Sequence, residues 1–301
     1  MSDIKLFKIA NGQVDELEGE SVTVEKSFQA LIERHLEDFL HIRFIKTEHE
    51  TSKQHGGRID TLGLDENNSP VIIEYKRSTN ENVINQGLYY LDWLMDYKSD
   101  FTLLVIDKLG KEVADKIEWD NARLICIAGG YTKYDEYAVK QIDRNIELLR
   151  YRKYGDEMLL LELVNATSQE GKPAKKTSDK SRKQATVLEL YEKMGQEHKD
   201  RYEGLKAFIE GLGDDVQENT LKYYIAFKRI ANFVCFEFHP NDDEILAFVK
   251  VDPNSIHLEE GFTRDVSNIG HFGTGDLEIR ISSDEDAIKA QPLILKSFDA
   301  N

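Results

Sequence analysis

Two carboxylates and a lysine lie inside an apolar stretch of the chain, GRIDTLGLDENNSPVIIEYKR, which covers residues 57–77. Side chains two residues apart on a strand share a face, so a strand through VIIEYKR points Glu74 and Lys76 the same way. If RIDTLGLD pairs with that strand across the polar turn ENNSP, Asp60 faces Glu74. Acids and a lysine in apolar surroundings need a partner. A satisfied ion pair, a solvated edge and a metal-dependent catalytic site are the three interpretations.

The metal site is the interpretation that implies chemistry. Two carboxylates held close repel each other, and a divalent cation removes that repulsion. Mg²⁺ suits such a pair because it takes few protein carboxylates and completes its coordination with water and substrate phosphate. Lys76 would then help to deprotonate an attacking water and stabilise charge on the phosphoryl oxygens. A surface ion pair explains Lys76 equally well, since 32% of the residues are charged.

A helix predicted over residues 24–40 supplies another candidate ligand. Its apolar stripe recurs at helical spacing, and Glu25 lies near the centre of that stripe, so we expect Glu25 to point inward. Glu33 and Glu37 fall on the solvated side. Glu25 is either a further metal ligand or an acid that favours the helix dipole. The stripe consists of Phe28, Leu31, Ile32, Leu36, Phe39 and Leu40.

A second helix, predicted over residues 81–97, follows the apolar stretch. Gln86 and Tyr90 lie four residues apart on one flank, off the buried face of Val83, Gly87, Leu91 and Leu94. A glutamine and a tyrosine beside a metal would orient water or hold a phosphate, although such residues alone are more often ordinary surface residues. Glu48, at the end of the strand before the hairpin, is a weaker candidate of the same kind.

The length of 301 residues predicts two domains, and one basic stretch marks their boundary. Residues 166–184 contain 6 basic and 2 acidic residues without apolar periodicity, which predicts an exposed linker. Residues 1–165 indicate a mixed α/β domain, in which FTLLVI is predicted as a strand and about residues 135–151 as a helix. Residues 185–301 indicate one or two helices, a strand meander, a further strand and a final helix, a smaller α+β domain.

Composition limits the classes of function. A net charge of −17 argues against binding nucleic acid through a global field, so any such contact must come from local basic groups and bridging metal ions. No segment approaches the ~20 apolar residues of a membrane span, and the first residues contain no apolar leader. Cys126 and Cys235 lie in apolar runs without metal-type spacing, which predicts buried thiols in a reducing cytoplasm.

The stretches GRIDTLGLD and VIIEYKR, followed by NENVINQGLYYLDWL, resemble the PD-(D/E)XK nuclease superfamily, and most closely the nuclease domain of NucS-type endonucleases. The resemblance covers roughly residues 20–130. It implies a restriction-endonuclease-like core, a mixed sheet flanked by helices, with Mg²⁺ or Mn²⁺ at one edge. The implied activity is metal-dependent hydrolysis of phosphodiester bonds in nucleic acid, with DNA as the expected substrate. Members of the superfamily often pair to cut two strands, so a homodimer is one expected assembly.

The resemblance also implies roles for individual residues. Asp60, Glu74 and Lys76 match the acid and the Glu-x-Lys of the family motif, with Asp60 and Glu74 as metal ligands. Gln86 and Tyr90 match a glutamine and a tyrosine one turn apart in the following helix. The glutamate of the family's first helix falls on Glu25, a further metal ligand. Ile59 stands where the motif has proline, a departure that the superfamily tolerates.

The second domain resembles a C-terminal domain of unknown function that is sometimes labelled a predicted transport protein, a label that no membrane segment supports. One of its loops, with Arg264, Asp265 and His271, is rich in glycine: Gly270, Gly273 and Gly275. A turn that needs glycine dihedrals explains this loop better than a binding role. Two readings of the whole chain remain: a nuclease, or a catalytically inactive nuclease-fold module that binds nucleic acid or a protein partner.

Overall fold

The structure, a computed structural model, describes residues 4–20, 25–52, 56–76, 83–167 and 185–300, with the side chain of Glu25 left out. A short antiparallel hairpin comes first, with β1 (Leu6–Ala10) and β2 (Gln13–Leu17) joined by a turn in which Asn11 and Gly12 have positive φ. An Asn-Gly pair is the common signal for such a turn. Among the described helices, none is both long and apolar enough to cross a membrane.

A mixed six-stranded sheet forms the centre of the first domain. Its strand order is β3-β4-β5-β6-β7-β8; β5, β6 and β7 run parallel and the other neighbours antiparallel. The predicted hairpin is confirmed as β4 and β5. The six strands are β3 (Ile42–Glu50), β4 (Arg58–Asp65), β5 (Pro70–Lys76), β6 (Arg123–Ala128), β7 (Asn145–Tyr154) and β8 (Met158–Thr167).

Helices cover both faces of this sheet, as predicted. One face packs against α1 (Glu25–Arg34) and α2 (Leu36–Leu40), whose buried residues share a core with Ile73, Tyr75 and Tyr151. The other face shares a core with the remaining helices, which are α3 (Val83–Asp96), α4 (Lys98–Leu109), α5 (Lys111–Ala114) and α6 (Lys133–Lys140).

Two predicted elements are wrong. FTLLVI belongs to α4: Phe101 and Val105, four residues apart, are buried while Leu103 is 63% exposed, which is a helical period. The predicted helix over residues 135–151 is instead α6 followed by β7. Because Leu148 and Leu149 enter the cores on opposite faces of the sheet, β7 is apolar on both sides and its alternation is hidden.

The second domain has helices on its six-stranded antiparallel sheet, the predicted α+β arrangement. The strand order is β13-β14-β12-β11-β10-β9, and the predicted meander is β10 to β12. Its helices are α7 (Val187–Lys193), α8 (Gln196–Glu210) and α9 (Asp284–Asp299). Its strands are β9 (Gln217–Thr220), β10 (Ile225–Lys228), β11 (Asn232–His239), β12 (Glu244–Val249), β13 (Thr263–Asp265) and β14 (Leu277–Ile281). Residues 166 and 167 end β8, and residues 168–184 of the predicted linker lie outside the described residues.

The glycine-rich loop between β13 and β14 is a packed turn. Gly273 and Gly275 have φ values of 80° and 142°, and a Cβ on Gly275 would lie 2.7 Å from the backbone nitrogen of Val249. The ring of His271 stacks on Phe248 with 4.2 Å between ring centroids. Glycine is therefore required by the backbone here.

The turn between β4 and β5, residues 65–69, is buried against the second domain. The side-chain oxygen of Asn67 accepts hydrogen bonds from the hydroxyl of Tyr224 at 2.7 Å and from the side-chain amide of Asn232 at 2.6 Å. The carboxylate of Glu66 accepts the backbone N–H of Asn232 at 2.5 Å and pairs with Lys250 at 2.7 Å. The polar residues that make ENNSP look like a solvated turn are thus interface residues.

A line of four buried charges crosses the same junction. Asp65 contacts Arg123 at 3.0 Å, Arg123 contacts Glu147 at 2.8 Å, and Glu147 contacts Lys228 of β10 at 2.6 Å. None of these side chains is more than 6% exposed. Burial alone would raise the pKa of Glu147, but Arg123 and Lys228 outweigh it and hold that pKa below its ordinary value. Arg123 and Lys228 together therefore favour the charged form of the Glu147 carboxylate.

Lys228→Met removes one cation and leaves Glu147 buried with a single partner. We expect the free energy of unfolding to fall by about 3–5 kcal/mol, because an uncompensated buried charge is more costly than a lost surface pair. Lys289→Met is the matched control, since Lys289 and Glu259 form an exposed pair, and its effect on the free energy of unfolding should be far smaller. Equal losses in urea-induced unfolding of the two variants would contradict the importance of the buried line.

Candidate active site

The β4–β5 hairpin brings Asp60 and Glu74 together. Its register pairs Thr61 with Ile73, so the next residues, Asp60 and Glu74, lie opposite each other. The backbone N–H of Asp60 donates to Glu74 Oε1 at 3.2 Å, and the N–H of Tyr75 donates to Asp60 Oδ2 at 3.0 Å. Each carboxylate is thus held by the backbone of the neighbouring strand. Glu74 is fully buried, while Asp60 is half-buried.

Lys76 lies at the end of β5 on the same face as Glu74. Its neighbour across the parallel ladder is Ala128, and the neighbour of Ala128 is Arg150. Strands in a sheet lie about 4.8 Å apart, so the Cα atoms of Lys76 and Arg150 are separated by roughly 10 Å. Arg150 donates to Glu162 at 2.8 Å and is half-buried. Two cations therefore flank one small residue at the carboxyl edge of the parallel strands.

Arg150 is a candidate that the sequence analysis missed. The sequence predicts a helix through the segment around Arg150, and a helix gives no reason to place Arg150 beside Lys76. Only the pairing of β6 with β7 does so. The available signal was composition, since NIELLRYRKY has the β-branched and aromatic residues of a strand.

Tyr90 and Gln86 meet at the start of β4. The hydroxyl of Tyr90 accepts the backbone N–H of Arg58 at 3.1 Å and the side-chain amide of Gln86 at 3.3 Å. A Cβ on Gly57 would lie 2.7 Å from the Tyr90 ring, so glycine leaves the space that the ring fills. The prediction that Tyr90 lies off the buried face is wrong, because it is only 6% exposed; Gln86 is half-buried.

Glu33 was predicted to be solvated, and it is instead bound between α1 and the sheet. Glu33 Oε1 accepts hydrogen bonds from Gln29 at 3.0 Å and from the hydroxyl of Thr61 at 2.5 Å. Gln29 also donates to the backbone oxygen of Asp60 at 2.9 Å. The polar Thr61 in an otherwise apolar strand was the signal for this contact. Gln29 and Glu33 thus fix the backbone that carries Asp60.

Burial raises the pKa of Tyr75, and the nearby carboxylates of Glu33, Asp60 and Glu74 raise it further, against the opposing effect of its contact with the Thr61 hydroxyl. The phenol of Tyr75 therefore stays protonated. Negative charge is concentrated around this pair of strands, which favours a bound cation.

Two further predicted metal ligands, Glu25 and Glu48, lie on α1 and β3. Glu25 begins α1, but its side chain lies outside the described residues. Glu48 lies within β3 rather than at its end, and the pairs Thr47 with Thr61 and His49 with Ile59 place it across from Asp60. Glu48 has a φ of 50°, and its carboxylate pairs with Arg58 at 2.5 Å. Glu48 therefore lies beside Asp60 and Glu74, and its carboxylate is already paired with the guanidinium of Arg58.

The donor set at Asp60 and Glu74 fits a hard divalent cation. In the described part of the chain, no group of three or more His, Cys, Asp or Glu side chains is arranged to hold a metal ion. Mg²⁺ does not need one, because it binds through one or two carboxylates and completes its octahedron with water and phosphate oxygens. Soft thiolate ligation does not apply: burial raises the pKa of the Cys126 thiol, Glu74 raises it further, and the thiol stays protonated.

Comparisons with known proteins bear on the two halves differently. Residues 187–301 match the family described as "Domain of unknown function (DUF5655)", which supports the predicted resemblance of the second domain. An uncharacterized protein of Haemophilus influenzae is 28% identical over 291 residues, covering 93% of this chain and 94% of that protein. The similarity therefore extends over nearly all of both chains, including both domains.

Two solved structures are similar to 44% of this chain at 18% identity. One is a repair endonuclease from Pyrococcus abyssi, with a TM-score of 0.30, and the other is a complex of EndoMS with double-stranded DNA, with a TM-score of 0.26. The matches span about half of each of those chains, 49% and 47%. TM-scores this low do not establish the fold or the activity of the present chain.

Tyr90→Phe tests whether the tyrosine positions β4. The variant keeps the ring against Gly57 but leaves the N–H of Arg58 without its acceptor, so we expect about 1 kcal/mol of lost stability and faster hydrogen exchange at Arg58. Tyr89→Phe, one residue away and 45% exposed, should change stability by less than about 0.5 kcal/mol. Unchanged exchange at Arg58 in Tyr90→Phe would show that the hydroxyl does not position the strand.

Proposed function

We propose that the chain is a metal-dependent nuclease that hydrolyses phosphodiester bonds in nucleic acid, with DNA as the favoured substrate. One observation carries the proposal: reciprocal backbone hydrogen bonds hold Asp60 and Glu74 side by side, with Lys76 two residues further along the same strand face. Two fixed carboxylates can hold a divalent cation, and a nearby lysine can stabilise charge on the phosphoryl oxygens, a combination that suits hydrolysis of a phosphodiester.

In this proposal Asp60 and Glu74 hold Mg²⁺ or Mn²⁺, with Glu25 as a further ligand. The bound ion would polarise a phosphoryl oxygen and lower the pKa of a bound water. Lys76 places its positive charge against the phosphoryl oxygens and orients the attacking water. Gln86 and Tyr90 hold the beginning of β4 in place, and through it Asp60.

The net charge limits how the chain could bind nucleic acid. A chain with a charge of −17 repels a polyanion at long range, so binding must depend on a local group of cations. Lys76 lies at the same edge of the sheet as the acidic pair, and Arg150, whose guanidinium is paired with Glu162, lies two strands away. The two buried free thiols are consistent with a reducing cytoplasm as the site of action. Cutting both strands of a duplex would require two copies of the chain.

The second candidate is a nuclease-fold module that binds nucleic acid or a protein without cutting. The net charge of −17 favours it. A titration with divalent metal separates the candidates, because an inactive module has no need to retain the metal.

Asp60→Asn and Glu74→Gln should abolish cleavage and Mn²⁺ binding while changing stability by less than about 1 kcal/mol. Each amide keeps an oxygen that accepts the backbone N–H, but loses the charge that binds the ion. Mn²⁺ binding by calorimetry and cleavage of single-stranded, duplex and branched substrates with Mg²⁺ and Mn²⁺ provide the measurement. Glu37→Gln, at an exposed position of α2, is the control and should behave as wild type. Substantial cleavage by Glu74→Gln would refute the metal-ligand assignment.

Lys76→Met deletes the charge and keeps most of the apolar stem. If Lys76 acts on the phosphate, the single-turnover rate falls by about 10²–10⁴ while metal binding remains. If Lys76 only pairs with a carboxylate, the variant loses stability and the rate per folded molecule changes little. Lys76→Arg keeps the charge but does not readily release a proton, so it separates electrostatic from proton-transfer roles. A stable Lys76→Met protein that cuts at the wild-type rate would remove the lysine from the mechanism.

A further inference from the structure

Helix α6 exposes two tyrosines on one side. Tyr134 is 73% exposed and Tyr137 is 70% exposed, and no other aromatic side chain in the described part of the chain is as exposed. Residues three apart on a helix are neighbours on its surface. The ammonium group of Lys133 lies 5.2 Å from the centre of the Tyr134 ring. The three side chains form one surface, named here the α6 face.

The α6 face is held rigidly. The hydroxyl of Thr132 accepts the N–H of Asp135, and the carboxylate of Asp135 accepts the N–H of Thr132 at 2.7 Å, which caps the helix. Val139 is fully buried on the opposite side of the helix. The hydroxyl of Tyr131 donates to the backbone oxygen of Cys126, which fixes the preceding loop to the sheet. The exposure of the tyrosines is therefore a property of a fixed helix and not of a loose loop.

The α6 face adjoins the candidate active site. Ala128 pairs with Lys76, and only residues 129–132 separate Ala128 from α6. Val139 shares a core with Cys126, whose strand neighbour is Glu74, so α6 and Glu74 are on the same face of the sheet. Charges on Glu74 and on Asp135 of α6 both act on the Cys126 thiol, raising the pKa that burial already raises.

The charge of the α6 face is unusual for this chain. The exposed residues of α6 include no acid; they are Lys133, Tyr134, Tyr137, Ala138 and Lys140. The two acids of the helix, Asp135 and Glu136, are half-buried, and Asp135 is engaged in the cap. An exposed helix face with lysines and aromatic rings, in a chain of charge −17, is complementary to a polyanion that carries flat rings.

We propose that the α6 face binds unpaired bases of a nucleic-acid strand, which stack on Tyr134 and Tyr137 while Lys133 contacts the adjacent backbone. Stacking on aromatic side chains combined with basic groups is how single strands are bound without sequence readout. A duplex keeps its bases inside, so the α6 face selects single-stranded segments. The inference rests on the proposed function in one respect only, namely that the bound nucleic-acid strand continues to Asp60 and Glu74, where its phosphodiester bond would be cut.

The test measures binding separately from cleavage. Fluorescence anisotropy in EDTA compares a labelled single-stranded DNA with three other ligands: the same sequence as RNA, the same sequence as a duplex, and a strand of equal length without bases. We expect Tyr134→Ala and Tyr137→Ala each to weaken single-strand binding about 5- to 100-fold. Binding of the duplex and of the baseless strand should stay within about twofold of wild type, and Tyr134→Phe should bind as wild type does.

Ile288→Ala is the matched control, since Ile288 is 66% exposed on α9 of the other domain. Single-strand affinity equal to wild type in both alanine variants overturns the inference even if the protein cleaves. Equal losses of affinity for the normal and the baseless strand also overturn the inference, because stacking on bases is then absent. A wild-type protein that binds no single-stranded DNA overturns it as well. Base-dependent loss of binding in a protein that never cleaves with Mg²⁺ or Mn²⁺ supports the α6 face and refutes the proposed nuclease.

Discussion

The structure depends on the buried line of charges from Asp65 through Arg123 and Glu147 to Lys228. Burying four charges is favourable only when each one has an opposite neighbour at close range. Three members come from three strands of the central sheet, and the fourth comes from the second domain. The line therefore links the register of the central sheet to the docking of the second domain, and neither can shift without leaving a buried charge alone.

The β4–β5 hairpin joins this junction to the candidate active site. Its turn is gripped by Asn232, Tyr224 and Lys250, and its open end carries Asp60 and Glu74. Asp60 and Asp65 are five residue steps apart on β4, about 17 Å along the strand. The second domain thus fixes the turn of the β4–β5 hairpin, at the end opposite Asp60 and Glu74. This gives the second domain a structural role that needs no ligand.

The sequence pattern predicted the structural features that depend on residues close in sequence. It missed those that depend on contacts between residues far apart in sequence. The hairpin, the position of Glu74 and Lys76 on one face, and α3 follow from alternation and turn residues. The sequence predicts a strand where α4 lies, because a short apolar run fits both a strand and a helix. The position of Arg150 beside Lys76 depends on the pairing of parallel strands, and the role of Asn67 depends on Asn232, 165 residues away. Residues adjacent in sequence do not reveal either contact. The roles of Asp60, Glu74 and Lys76 remain predictions from chemistry.

The order in which the chain is synthesised gives the buried line a further consequence. Asp65, Arg123 and Glu147 leave the ribosome well before Lys228, so the first half emerges with two acids and one arginine at a surface that is not yet covered. Until β10 arrives, hydration of Glu147 opposes closure of that surface. Domains usually fold in order of synthesis. From the contact between Glu147 and Lys228 we therefore expect the first half to reach its final packing only after β10 has been synthesised.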